Sequence, residues 1–166
     1  MLIAAGLLAN VSIAEENPIR WSSGDAALKP IKIFAESNLR TVGRQVELEV
    51  TVFGRLPEAS YLYSTEHQGE SGPIPSSVEL ENPLFSKTGA AEESETVGIA
   101  DGTFGRPLKV HRKEFQIRQR FKAERLPNPA GGILAIGGYL LYQQCTEKIC
   151  SLPTKSAFDL LLTIPD

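Results

Sequence analysis

The sequence predicts an all-β protein built as an antiparallel sandwich or barrel. Apolar residues recur with period two in segment after segment, which is the pattern of a half-buried strand. Turn residues such as Gly43, Gly54 and Gly72-Pro73 separate these segments. A sustained helical stripe is missing from the sequence. The 166 residues, 42% hydrophobic and 22% charged, suit a single domain with its own core.

The alternation defines the strands one by one. The clearest cases are three segments with apolar residues at every second position, or nearly so: 46–52, 115–121 and 157–164. Shorter strands are predicted at 31–34, 61–63 and 78–80. A further strand is predicted over 133–142, where Gly137-Gly138 indicates a bulge or kink.

The stretch from Phe85 to Gly105 differs from the rest of the chain. Its segment 90–95 is small and acidic and shows no apolar periodicity. We therefore predict a long exposed loop here, either functional or merely mobile.

Composition excludes several classes of function. With 17 basic and 20 acidic residues the chain has a formal charge of -3, which argues against a general nucleic-acid binder. No apolar run reaches the ~18 residues of a membrane-spanning helix.

The N-terminus predicts export. Residues 1–14 are apolar and end on Ser12-Ile13-Ala14, which fits a signal-peptide cleavage site, although the basic segment that should precede the apolar core is missing. The alternatives are a first strand or a disordered tail. We expect residues 1–14 to be a partial signal peptide and 15–166 to be one exported domain, whose cysteines then lie in an oxidising compartment.

The sharpest chemical feature is the cysteine pair, Cys145 and Cys150, separated by four residues. Two residues at strand ends around a tight loop can bring their Cα atoms to about 4.5–5.5 Å, within the range for a disulfide. So short a loop stabilises a fold by only about 2 kcal/mol. A redox pair, a structural staple and a site for a soft metal ion all remain open.

Other chemistries find less support. His67 and His111 are single histidines in a strand-rich chain, where a satisfied or solvent-facing side chain is more common than a metal ligand. The chain has neither a Gly-x-Ser-x-Gly nucleophile elbow nor a glycine-rich phosphate loop. We expect no metal and no cofactor.

Three motifs together resemble the N-terminal periplasmic domain of the thiol:disulfide interchange protein DsbD. The first runs from Tyr142-Gln143-Gln144-Cys145 to Cys150-Ser151-Leu152-Pro153, the second is Tyr61-Leu62-Tyr63, and the third is Asp101-Gly102-Thr103-Phe104-Gly105. The resemblance covers about 45–166. Two departures stand out: the enterobacterial pattern has five residues between the cysteines, and it has an acid and an aromatic where this chain has Gly102-Thr103.

The resemblance implies an immunoglobulin-like β-sandwich in the periplasm that carries a redox dithiol. Cys150 would form the mixed disulfides and Cys145 would resolve them. Phe104 and Asp101 would belong to a cap over the sulfurs. Tyr61, Tyr63 and Tyr142 would wall the cysteines, form a hydrogen bond to a sulfur or belong to the sandwich core. The implied partners are a DsbD-type membrane reductant and thioredoxin-like periplasmic proteins, and we expect a monomer.

Beside the cysteines, Lys148 would favour the Cys150 thiolate and Glu147 would oppose it, unless both belong to a solvated loop whose adjacent charges nearly cancel. Pro153 stiffens the chain after Cys150 and removes a backbone donor. The rival interpretation of the whole chain is a non-enzymatic binding module in which the disulfide is a static clip.

Overall fold

The computed structural model describes residues 10–13, 28–29, 31–101, 104–126 and 131–164. Within these ranges the chain forms twelve strands and no helix, which confirms the all-β prediction. The strands are β1 (Asn10–Ile13), β2 (Lys32–Val42), β3 (Gln45–Arg55), β4 (Tyr61–Tyr63), β5 (Ser77–Leu80), β6 (Ser86–Glu93), β7 (Val97–Asp101), β8 (Arg106–Arg112), β9 (Glu114–Ala123), β10 (Ile133–Tyr142), β11 (Gln144–Cys145) and β12 (Thr154–Thr163).

Two of the three sheets form a sandwich. A five-stranded sheet in the order β1-β2-β3-β9-β6 faces a three-stranded sheet in the order β12-β10-β5, and the strand pairs within both are antiparallel. The inward residues of the alternating strands form the main core, with Leu48, Ile117 and Phe158 fully buried. This arrangement is consistent with the immunoglobulin-like sandwich that the resemblance implies.

The third sheet, in the order β11-β4-β8-β7, is the site sheet, because it carries Cys145. Its strand β4 is buried on both faces. Leu62 packs into the main core, while Tyr61 and Tyr63 point to the opposite face and join a second cluster with Cys145. Because side chains alternate along a strand, this three-residue strand contributes one residue to the main core and two residues to the site.

The predicted loop over 85–105 is wrong. Strand β6 pairs with β9 along the edge of the five-stranded sheet, and β7 pairs with β8. Glu92 on β6 forms ion pairs with Arg118 and Arg120 on β9, at 3.3 and 2.8 Å. Because cross-strand charges stabilise this exposed edge, the strand needs no apolar alternation, and the sequence pattern concealed it.

The predicted bulge at Gly137-Gly138 is also wrong. The pairing of β10 with β12 runs without a shift from Ile133 opposite Thr163 to Tyr142 opposite Thr154. A Cβ atom on residue 138 would lie 2.5 Å from the ring of Phe158. The glycine is needed for close packing of that ring against the strand, not for a change of register.

The N-terminal segment is described only in part. Asn10–Ile13 pairs antiparallel with β2, from Asn10 opposite Ser37 to Ile13 opposite Phe34. The other residues of the expected leader lie outside the described ranges, so cleavage after residue 14 stays a prediction. Within the described ranges the chain has no helix able to cross a membrane.

Candidate functional site

A short hairpin brings the two cysteines together, as predicted. Cys145 ends β11 opposite Tyr61 on β4, and the chain then turns back through a hydrogen bond of 2.8 Å from the Thr146 amide to the Ile149 carbonyl. Cys150 pairs antiparallel with Cys145, and the two sulfurs form a disulfide. The Cα atoms lie 4.0 Å apart, closer than the spacing of about 4.5–5.5 Å that the sequence predicts.

Hydrogen bonds that do not involve sulfur hold this hairpin closed. The Ser151 amide donates to the Gln144 carbonyl at 2.7 Å, and the Gln144 amide donates to the Ser151 hydroxyl at 3.1 Å. The Gln143 side chain donates to the Ser151 carbonyl at 3.1 Å. These bonds are independent of the oxidation state of the sulfurs, so the hairpin can persist when the disulfide is reduced.

The two cysteines differ sharply in exposure. Cys145 is 0% exposed, whereas Cys150 is exposed on an open groove of about 720 Å³. The groove is lined by residues of β4, β7, the turn after β7, β8 and the cysteine hairpin: Tyr61, Tyr63, Ile99, Ala100, Phe104, Arg112, Gln143, Thr146, Glu147, Lys148, Ile149 and Cys150. An external thiol or disulfide can therefore approach Cys150 but not Cys145.

Tyr63 stands at the centre of the site. Its hydroxyl oxygen lies 3.5 Å from the Cys145 sulfur and 3.9 Å from the Cys150 sulfur, within reach of a hydrogen bond to either. Its ring is edge-on to Tyr61 and to Phe104, with centroids 5.7 and 6.2 Å apart. The structure thus places Phe104 on the same groove as Cys150, although the two are far apart in sequence.

The remaining residues expected at the site are placed differently. Tyr142 lies in the main core, not on the groove, because it shares the inward face of β10 with Leu140. Burial raises the pKa of Tyr142 above its ordinary value, although its hydroxyl accepts a hydrogen bond from Ser156. Asp101 ends β7, but its side chain lies outside the described part of the chain, as do residues 102–103.

A buried polar cluster underlies the site sheet, and the sequence did not predict it. Glu93 at the end of β6 accepts hydrogen bonds from the Ser64 hydroxyl at 2.5 Å, the Thr65 amide at 2.9 Å and His111 Nε2 at 2.8 Å. His111 is 0% exposed. Burial raises the pKa of Glu93, but its hydrogen bonds, that from His111 foremost, outweigh burial and lower the pKa to about 2.

Charges around the groove are sparse and mixed. The Arg112 guanidinium lies 5.5 Å from the centre of the Tyr61 ring. Lys148 and Glu147 are both exposed in the hairpin turn, as expected of a solvated loop. The described residues contain no group of three metal-ligating side chains: His67 is exposed, and His111 is bound to Glu93.

Comparison with known proteins returned one solved structure, the N-terminal periplasmic domain of ScsB from Proteus mirabilis. It is 13% identical in sequence, with a TM-score of 0.45 over 77% of this chain and 45% of that chain. This chain therefore spans less than half the length of that structure. No family model and no curated protein matches the chain.

Proposed function

We propose that this protein carries out thiol–disulfide exchange through Cys145 and Cys150. The observation that supports this most directly is the unequal exposure of the two sulfurs, one buried and one on an open groove. Exchange requires one sulfur that a partner can attack and a second that resolves the mixed disulfide from within. A static clip has no need of this asymmetry or of a groove beside one sulfur.

The exchange proceeds in two halves, each of which transfers two electrons. In the first, a thiolate of the reductant attacks Cys150, the Cys145–Cys150 bond breaks, and Cys145 leaves as a thiolate. The second thiol of the reductant then attacks the reductant's first sulfur, which is bonded to Cys150. This step forms the reductant's disulfide and releases Cys150 as a thiolate. In the second half, the Cys150 thiolate attacks the disulfide of an acceptor, and Cys145 attacks Cys150 to release the acceptor as a dithiol.

The motifs suggest the partners and the compartment. Their resemblance to the DsbD N-terminal domain supports a DsbD-type membrane reductant as the donor and thioredoxin-like proteins as acceptors, in the periplasm. Phe104 would serve as the cap, because its ring rests on Tyr63 at the groove that exposes Cys150. The cap would shield the thiolate from small oxidants until a partner displaces it.

A trapping experiment tests the proposal and the unequal roles. In Cys145→Ser the resolving thiol is gone, so a mixed disulfide between Cys150 and a thioredoxin-like protein should accumulate. In Cys150→Ser almost none should form, because Cys145 is buried. Both complexes are quantified on non-reducing gels with a purified thioredoxin-like protein whose own resolving cysteine is replaced.

The reduction potential of the wild-type pair supplies the control. We expect a potential well above about -300 mV, below which structural disulfides of exported proteins lie. A lower potential together with no trapping by either variant would contradict exchange and favour a binding module with a static clip. Equal trapping by both variants would contradict the assignment of Cys150 as the attacking sulfur.

A further inference from the structure

The cluster around Glu93 lies where the five-stranded sheet meets the site sheet. Glu93 is the last residue of β6 in the five-stranded sheet, and β7 of the site sheet begins at Val97. Its carboxylate reaches across to the site sheet and binds His111 on β8 and the segment just after β4. One side chain therefore joins the edge of the sandwich to two strands beneath the site.

The contact with β4 leads directly to the sulfurs. Ser64, whose hydroxyl donates to Glu93, follows Tyr63, whose hydroxyl lies at both sulfurs. On β8, His111 pairs with Leu62, and its neighbour Val110 pairs with Tyr63. Because successive side chains point to opposite faces of a strand, Glu93 holds the underside of the same two strands whose upper side forms the floor of the groove.

The cluster is also hard to displace. The His111 side chain is 0% exposed and the Glu93 side chain 13% exposed, so a shift of β4 would leave a buried charge without its donors. The neighbouring Glu92 offers a contrast, since its side chain is 52% exposed and pairs with arginines on the outer face of the sheet. Two adjacent glutamates thus act on opposite faces of β6.

We propose that Glu93 is a positioning residue of the redox site: by holding β4 and β8 from beneath, it keeps the Tyr63 hydroxyl at the two sulfurs and Phe104 against the Tyr63 ring. The proposal rests on the proposed exchange function for its biological meaning. Its physical content concerns only how the reduced pair is shielded and can be measured without any partner protein.

The experiment measures how fast iodoacetamide alkylates each thiol in the reduced, folded protein. Peptide mass spectrometry separates the products at Cys145 and Cys150. In Glu93→Gln we expect Cys150 to react at least about threefold faster. That factor corresponds to the lower end of the interaction free energies between contacting groups. In Glu92→Gln, the matched control, the rate should equal that of the wild type.

The ratio of the two thiols distinguishes positioning from a general loss of stability. Loosening of Tyr63 and Phe104 accelerates Cys150 more than Cys145, since Cys145 is 0% exposed and stays paired with Tyr61 on β4. Global unfolding exposes both thiols. Equal acceleration of Cys145 and Cys150 would therefore overturn the proposal, as would an unchanged Cys150 rate in Glu93→Gln.

A double variant tests whether the effect passes through the cap. Phe104→Ala should itself accelerate alkylation of Cys150, and adding Glu93→Gln to it should add nothing further. Multiplication of the two effects would overturn the proposal, because Glu93 would then act independently of Phe104. If Glu93→Gln fails to fold, Ser64→Ala replaces it: this variant removes one of the three donors and should show the same selective acceleration on a smaller scale.

The trapping experiment and the alkylation experiment test the two proposals independently. Selective acceleration in Glu93→Gln with no trapping by Cys145→Ser would uphold the positioning role and refute exchange. Trapping with no selective acceleration would do the reverse.

Discussion

The main core and the site sheet are built by different means. The main core is apolar and continuous, and its residues come from long strands such as β3, β9 and β12 that alternate over most of their length. The cluster at the disulfide is small and draws on the short strands β4 and β11 and on β8. Beneath it lie polar groups, foremost Glu93 and His111.

This difference separates stability from chemistry. Burial of apolar area stabilises without direction, so the core tolerates many sequences that keep the alternation. At the disulfide, the Tyr63 hydroxyl lies 3.5 Å from one sulfur and 3.9 Å from the other, and such a placement depends on directional contacts. Variants of the core should therefore change the free energy of unfolding most, and variants of the site should change reactivity most.

The largest expected effect on stability is in the core. Phe158 is 1% exposed and packs its ring over Gly138. Phe158→Ala should lower the free energy of unfolding by about 3–5 kcal/mol, through lost burial and the cavity left behind. For a domain of this size the melting temperature should fall by roughly 10 °C, as measured by circular dichroism.

The same variant tests whether core and site are separate. The folded fraction of Phe158→Ala should keep the wild-type reduction potential of the Cys145–Cys150 pair, since the ring does not line the groove. A shift in the reduction potential with little loss of stability would show that the core and the site are not separate.

The sequence predicted the parts of the fold that alternate. The periodicity of 46–52 and 115–121 identified the strands β3 and β9, which lie side by side in the five-stranded sheet. It failed at β6, where charge pairs between Glu92 and two arginines replace apolar residues. Such pairs depend on a strand that is distant in sequence, so no local pattern shows them.

The residues around the groove were predictable only where they belong to one of the three sequence motifs. The cysteine hairpin, Tyr61, Tyr63 and Phe104 all line the groove. The motif and the aromatic ring of Tyr142 predict either the site or the core. Tyr142 shares the inward face of β10 with Leu140 and therefore lies in the core. Glu93 was missed, because nothing local distinguishes it from Glu92 and Glu95 until the sheets are assembled.

A smaller loss is expected when the disulfide is reduced. In the chain-entropy model, a loop as short as that between Cys145 and Cys150 stabilises by about 2 kcal/mol. The hydrogen bonds between Ser151 and Gln144 remain, so the hairpin should keep its shape. Urea unfolding with and without dithiothreitol measures the difference. A loss above about 4 kcal/mol would exceed this loop's contribution and indicate a structural clip.

The smallest expected effect concerns Glu93 and is visible through pH. The pKa of Glu93 is about 2 in the folded protein, below its ordinary value of 4.5. A group with a lowered pKa stabilises the fold above its unfolded pKa, and that contribution disappears as the pH falls from about 4.5 through 2. Glu93→Gln should cost about 1–2 kcal/mol at pH 7, as expected for a buried group that loses an ionic partner.

The cost of Glu93→Gln should shrink as the pH approaches 2, because the wild-type carboxylate then becomes neutral as well. Urea unfolding of both proteins at pH 7, 4.5 and 2.5 measures this convergence. Glu92→Gln should cost less than Glu93→Gln at pH 7 and pH 4.5, since its ion pairs with Arg118 and Arg120 are exposed on the outer side of β6. A constant cost of Glu93→Gln across the three values would mean that shape and not charge holds the site sheet to the sandwich.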